Sequence, residues 1–239
     1  MGKSENQQLH RFPIHAVRAN QIVDLHPLKS SSIRSDYFSE WFKSDANPEH
    51  IVKGFSHLSI KEGYKLRAYQ FHESGNGNGI VWAIPEDTEL PEPSDCNRLE
   101  QYYLSPPKPK FALDDFMQVI EGDKTPLSYL QAAITYQELH EFGAQWHGIA
   151  WGRDTILPSP SEDSKIYSQY QWEMIEEEPE IIEPHFYYNS EGNPVIVFHT
   201  INDIAVITMK RYVCTFDKSD YTLTVEVTRI AEAGFGIIF

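Results

Sequence analysis

Apolar residues keep helical spacing for longest between Leu127 and Gly148, in LSYLQAAITYQELHEFGAQWHG. With Leu139 at the centre of a face and 100° per residue, Ala132, Tyr136, Phe142, Gly143 and Trp146 fall on its side, while Gln137, Glu138, Glu141 and Gln145 point away. This predicts a helix with one wide buried face. Burial of Leu139, Phe142 and Trp146 is worth roughly 1.5–3 kcal/mol each, far more than any difference in helix propensity, so a packing partner must hold the helix. Thr125-Pro126 places a proline where such a helix opens.

The last third of the chain alternates instead. PHFYYN, PVIVFHTI, IAVITMKRYVCTF and YTLTVEVTRI, separated by SEGN, Asn202-Asp203 and DKSD, read as strands joined by short turns, which forces antiparallel neighbours. Tyr221, Leu223, Val225 and Val227 alternate with Thr222, Thr224, Glu226 and Thr228, so that strand should have one buried and one wet face, and GFGIIF should close the sheet. His199 falls inside a strand, as a paired core histidine. Earlier, Ile60, Tyr64, Leu66 and Ala68 alternate against Lys65 and Arg67, and the loop ESGNGNG returns the chain into IVWAI, which predicts a hairpin.

The remaining elements are short. Phe38, Trp41 and Phe42 at i, i+3 and i+4 predict a helix over Ser35–Lys43, and Asn47-Pro48 with Gly54 brackets another. A third runs over Leu113–Glu121, up to Gly122, and Tyr170, Trp172 and Met174 alternate in a half-exposed strand over Tyr167–Met174. Met1 to about Phe12 is polar and expected to lack structure. Between Pro85 and Lys110 stand six prolines, which exclude a central strand or helix interior; a stretch that long must be packed or functional. The assembled expectation is an α+β fold, mainly antiparallel sheet from the C-terminal half with a long helix packed on one face. It forms one domain over residues 1–239, with a candidate lobe boundary within 85–110. Two lobes, or a barrel closed by the meander, are the alternatives.

Charge narrows the partners. Thirty-five acidic against twenty basic residues give a net charge of −15, which opposes binding to nucleic acid or anionic membrane. Cys96 and Cys214 have neither disulfide-framework nor zinc-site spacing, and no stretch is long enough for a membrane span, so the expectation is a soluble, cytoplasmic protein with no metal and no cofactor. Oligomeric state is not legible.

Candidate chemistry gathers at the end of the long helix. His140 and His147 share one margin with Tyr129, and Trp151, Arg153 and Asp154 follow closely; folded back, they would make a polar pocket with an aromatic wall. A zinc-protease HExxH reading fails because Ala144 stands where the second histidine belongs, and His140 and His147 are about 10 Å apart along the axis. Gly75, Gly77 and Gly79 do not make a phosphate cradle, since a strand and not a helix follows; they read as turn glycines. Six glutamates between Glu173 and Glu183 read as a solvated edge, with a contact patch for a basic partner, or a hard-cation cluster with Glu183 and His185, as sharper alternatives. GxSxG, Walker and GxGxxG motifs are lacking. The expectation is a binding or interaction protein holding a small ligand or protein partner at an aromatic-lined helix and sheet margin. The alternative is a hydrolase using His140 or His147 as acid or base, Arg153 as anion holder and Asp154 as orienter.

Overall fold

The computed structural model describes residues 9–12, 40–73, 76–145, 147, 149–162 and 164–236. In chain order the elements are β1 (His10–Arg11), β2 (Glu40–Lys43), α1 (Glu49–Lys53), β3 (Leu58–Ile60), β4 (Tyr64–Glu73), β5 (Asn76–Pro85), β6 (Asn97–Arg98), β7 (Pro107–Lys108), β8 (Ile120–Gly122) and α2 (Pro126–His140). There follow β9 (Asp154–Ile156), α3 (Ser164–Ser168), β10 (Glu173–Met174), β11 (His185–Tyr188), β12 (Pro194–Asn202), β13 (Val206–Phe216) and β14 (Leu223–Phe235). Among the described residues strand makes up 41% and helix 18%, so antiparallel sheet dominates an α+β architecture. Among the described residues no helix is long and apolar enough to cross a membrane. Contacts divide the chain into two units: Met1–Ile22 with Lys124–Ala133 and Arg153–Phe239, and Val23–Asp123 with Ile134–Gly152.

In the first unit the strands pair in the order β1-β11-β12-β13-β14-β10, with β9 on the edge of β12 beyond the end of β11; every pairing is antiparallel. The alternation and short turns of the C-terminal third account for β11 to β14. β12 is buried at every position, which explains its nearly unbroken apolar run. β14 departs from expectation: Leu223 and Val225 are only half-buried and Val227 is exposed, because among the described residues β10 alone pairs with its outer side, at Ala231 and Glu232. One sheet face covers Leu157, Ile201, Ile207, Met209, Ile230 and Ala231, and Tyr167, Tyr170 and Trp172 pack there too. That common destination defeats the strand expected over Tyr167–Met174, which is instead α3 followed by the two-residue β10.

On the opposite face the Tyr129 ring of α2 stacks on Phe186 at 5.6 Å and lies 5.0 Å from both Phe216 and Tyr221. The Tyr221 hydroxyl accepts the Lys124 N–H at 2.8 Å and is 2.6 Å from Ser128 Oγ, tying the start of α2 to this sheet. Of the stretch from Met1 to Phe12, expected to lack structure, residues 9–12 are described and they are packed on the sheet, while residues 1–8 lie outside the described residues. His10–Arg11 pairs with β11, Phe12 is buried, and Arg11 bonds Glu183 at 2.9 Å.

The second unit is built on β2-β4-β5, with β3-β8 and β6-β7 as small ribbons. Trp41 and Phe42 belong to the strand β2 and not to a helix, since pairing with β4 satisfies their backbone; Ser35–Phe38 lies outside the described residues. The Trp41 indole donates to the Leu104 carbonyl at 2.9 Å, Tyr69 OH to that of Pro91 at 2.8 Å, and the Trp82 indole to that of Pro107 at 2.8 Å. The proline-bearing stretch is thereby fastened to the β2-β4-β5 sheet through side-chain donors. α1 forms as expected, with Asn47 Oδ1 accepting the Glu49 N–H at 3.0 Å. The helix expected over Leu113–Glu121 is reduced to a 3₁₀ turn, Phe116–Val119, capped by Asp115 and followed by β8.

α2 differs from expectation in two ways. All residues from Ser128 to Thr135 are buried, Gln131 included, so the helix is enclosed around its circumference and not along one face. It also stops at His140; Gly143 turns at φ +77°, and Gln145 then exchanges backbone bonds with Gly77 at 3.0 and 3.3 Å. Trp146 and Gly148 lie outside the described residues. Gly77 and Gly79 are strand residues of β5, unlike the expected turn glycines, and their lack of a side chain admits a neighbouring backbone. A Cβ on Gly79 would sit 2.1 Å from the Phe142 carbonyl oxygen. Gly79→Ala should therefore cost roughly 2–3 kcal/mol in urea denaturation. Gly234→Ala, whose Cβ meets nothing within 4 Å, should stay within about 0.5 kcal/mol of the parent. Equal stability of the two variants would refute the close approach.

Candidate functional site

The six candidate residues fall in two groups: Tyr129, Arg153 and Asp154 in the first unit, and His140, His147 and Trp151 in the second. Asp154 is the most heavily engaged. β9 sets it opposite Asn202, and β13 sets Lys210 opposite Thr200 and Tyr212 opposite Phe198. Because side chains share a face every second residue, Thr200, Asn202, Lys210 and Tyr212 all converge on one carboxylate. Its Oδ1 accepts from Asn202 Nδ2 at 2.5 Å and Lys210 Nζ at 3.2 Å. Its Oδ2 accepts from Tyr212 OH at 2.5 Å and Thr200 Oγ1 at 3.2 Å. The carboxylate is fully buried, with 0% of its side chain exposed, and four donors fill roughly the four lone-pair sites a carboxylate has. No histidine is among those donors.

Arg153 turns away to Asp203, its fork donating from Nε at 2.9 Å and from Nη2 at 2.6 Å. Tyr129 lies in the aromatic cluster, where burial, reinforced by Tyr221 and Tyr188, pushes its phenol up to about 12. Thr200 falls inside the expected strand PVIVFHTI, whereas Asn202, expected in the turn Asn202-Asp203, is the last residue of β12. What could not be read was the register that brings Lys210 and Tyr212 beside them.

In the second unit His140 remains exposed, with its ring 5.0 Å from that of Phe116 and 4.1 Å from that of Tyr136. Desolvation beside those rings lowers its pKa, against an opposing pull from Asp115. His147 is exposed, and its backbone N–H points at Asn76 Oδ1 at 3.4 Å. Trp151 is buried, and its indole donates to Glu138 at 2.8 Å. Glu141, expected to face solvent, instead accepts the consecutive N–H groups of Ala150, Trp151 and Gly152, the last two at 2.6 and 2.5 Å. Three successive amides form a nest suited to an anion, and here the chain's own carboxylate fills it.

The second unit also holds a recess of about 470 Å³ with a charged rim of Glu49, Lys53, Lys65, Arg67 and Glu86. Glu49 accepts from Arg67 at 2.9 Å, Lys53 at 3.0 Å and the Leu66 N–H at 3.3 Å. Burial raises its pKa, but the bonds and charges of Lys53 and Arg67 outweigh that and hold it below the usual carboxylate value. No sequence spacing points to this recess, whose rim comes from α1 and from both ends of the hairpin. Among the described residues no group of three or more His, Cys, Asp or Glu is arranged to hold a metal ion. No protein-family model matches the chain, and neither a curated protein nor a solved structure matches it.

His199 is a core residue whose Nδ1 bonds the Ile182 carbonyl at 2.8 Å, so the proton is on Nδ1 and the buried Nε2 is left without a partner. Burial pushes its pKa down to about 4; His185 and Arg211 add to this, and the Ile182 carbonyl and Glu183 oppose it. The unfolded chain, with a histidine near 6.5, binds the extra proton between these values, so stability is lost as pH falls from about 6.5 to 4. The loss should reach about 3 kcal/mol in denaturant titrations across that range, and His199→Gln should flatten the slope. The Asp154 cluster makes its own prediction. Asp154→Asn leaves the Lys210 ammonium without its counter-charge and should cost about 3–5 kcal/mol, against about 1 kcal/mol for Tyr212→Phe, both by urea denaturation.

Proposed function

We propose that this chain is a binding or interaction protein without catalytic chemistry. The observation that carries this reading is the saturation of Asp154: four internal donors occupy the carboxylate and leave it no free position from which to orient a histidine. Arg153, the candidate anion holder, has its fork on Asp203. The hydrolase reading would require both groups to give up these partners first. Large apolar side chains, by contrast, stand in solvent, Tyr102 and Tyr103 in the second unit and Val227, Ile175 and Phe235 in the first, and such residues are what a partner covers. A protein partner is therefore preferred to a small ligand at the aromatic helix and sheet margin, where Tyr129 is already packed. A cytoplasmic setting belongs to the same proposal, since Cys96 and Cys214 are both free thiols, the form a reducing compartment maintains.

A thermal-shift screen of the full chain against divalent metals, nucleotides, carboxylates and sugars tests the proposal. A ligand at 100 times its Kd adds about 2.7 kcal/mol, which raises Tm by several degrees in a chain of this size. The expected result is no shift from any class. A shift from one class that disappears in both His140→Ala and Arg153→Ala would overturn the proposal in favour of a small-molecule site.

A further inference from the structure

Among the described residues, β14 has a neighbour on its outer side only toward its C-terminal end. β10 pairs with Ala231 and Glu232, and the N–H groups of Ile175 and Glu176 both reach the Ile230 carbonyl. From Leu223 to Arg229 no described residue hydrogen-bonds to that edge. Its polarity follows from the hairpin bond of the Asp217 N–H to the Thr222 carbonyl at 2.9 Å, which makes 217 and 222 a hydrogen-bonded pair. By the two-residue period, Thr224 and Glu226 turn their N–H and C=O groups to β13, and Leu223, Val225 and Val227 turn theirs outward. These three residues present three donors and three acceptors at strand spacing, a template for an added strand. Beside them Val227 is 52% exposed, and Ile175 at the close of the β10 pairing is also 52% exposed.

The charge around the edge selects what is added. Glu173, Glu176, Glu177, Glu178 and Glu180 are all exposed and, among the described residues, make no ion pair. Glu173 stands on the covered part of β14, opposite Glu232, and Glu176 stands where the open edge begins, since its N–H shares the Ile230 carbonyl with that of Ile175. Glu226 is exposed on β14 itself, and Arg229 is already paired with Glu232. A second copy would bring another acidic run and another net charge of −15 to the same edge, which opposes self-pairing. A cationic segment would be drawn to it.

We infer that the open edge of β14, Leu223–Arg229, accepts an extended lysine- or arginine-rich segment of a partner protein as an added strand, held by the glutamates of residues 173–180. This rests on the reading of the chain as a binding protein. The probe is a fluorescent peptide of alternating lysine and valine long enough to span Leu223–Arg229, titrated into the full chain beside a control with glutamate for lysine. The basic peptide should bind at least about tenfold more tightly than the control. Val225→Pro removes one outward N–H and leaves the ladder to β13 intact; it should weaken binding about tenfold or more. E176Q/E177Q/E178Q should weaken binding and flatten its salt dependence. In the unmodified chain, amide exchange at Leu223, Val225 and Val227 should slow on adding the peptide, a readout that stands even where the proline variant does not fold. Binding that persists while these three amides exchange unchanged would overturn the edge site and leave the binding-protein reading standing. So would a concentration-dependent dimer lost in Val225→Pro, which would make a second copy the occupant, or failure of both peptides to bind.

Discussion

The register of β12 on β13 is the constraint on which the first unit depends. It places Lys210 opposite Thr200 and Tyr212 opposite Phe198, and on the other face Arg211 opposite His199. Because side chains alternate, a slip of β13 by one residue would turn Arg211 to the carboxylate's face and carry Lys210 and Tyr212 to the other. Burying a carboxylate costs several kcal/mol, and that cost is offset only where donors and a counter-charge arrive together. Asp154 finds Thr200, Asn202, Lys210 and Tyr212 in this one register, so the buried charge selects the alignment that apolar alternation alone would leave less well specified.

The same saturation shapes what the molecule is free to do. Asp154 spends its acceptor capacity on the sheet, Arg153 spends its fork on Asp203, and Glu141 fills the one nest of consecutive amides described at residues 150–152. These three groups are turned to partners within the chain, while apolar side chains such as Val227 and the glutamates of residues 173–180 are turned to solvent.

In the second unit the organising problem is a long stretch that cannot form regular structure. Prolines lack the N–H that a ladder or helix needs, yet their carbonyls, and those around them, still require donors once buried. Trp41 on β2 and Tyr69 and Trp82 on the hairpin supply them, so rings that fill the core also carry its polar bonds. Gly77 and Gly79 act by omission: without side chains they let the backbone at Phe142–Gln145 come within bonding distance of β5.

The chain's own pattern of residues determined the antiparallel strands of the C-terminal third, the β4–β5 hairpin, the small helix after Asn47-Pro48 and the opening of the long helix at Pro126. Each is set by local alternation, turn residues or capping, which act between near neighbours. Tertiary structure decided the rest. Trp41 and Phe42 became a strand because β4 offered an edge, and the long helix ended at His140 because Gly143 and Gln145 were drawn to the hairpin. Of the candidate residues, Asp154 and Arg153 were legible as chemistry-bearing groups, but their occupation by Lys210, Tyr212 and Asp203 was not. Those partners lie some fifty residues away in sequence, and only strand register, a long-range property, fixes which side chains meet.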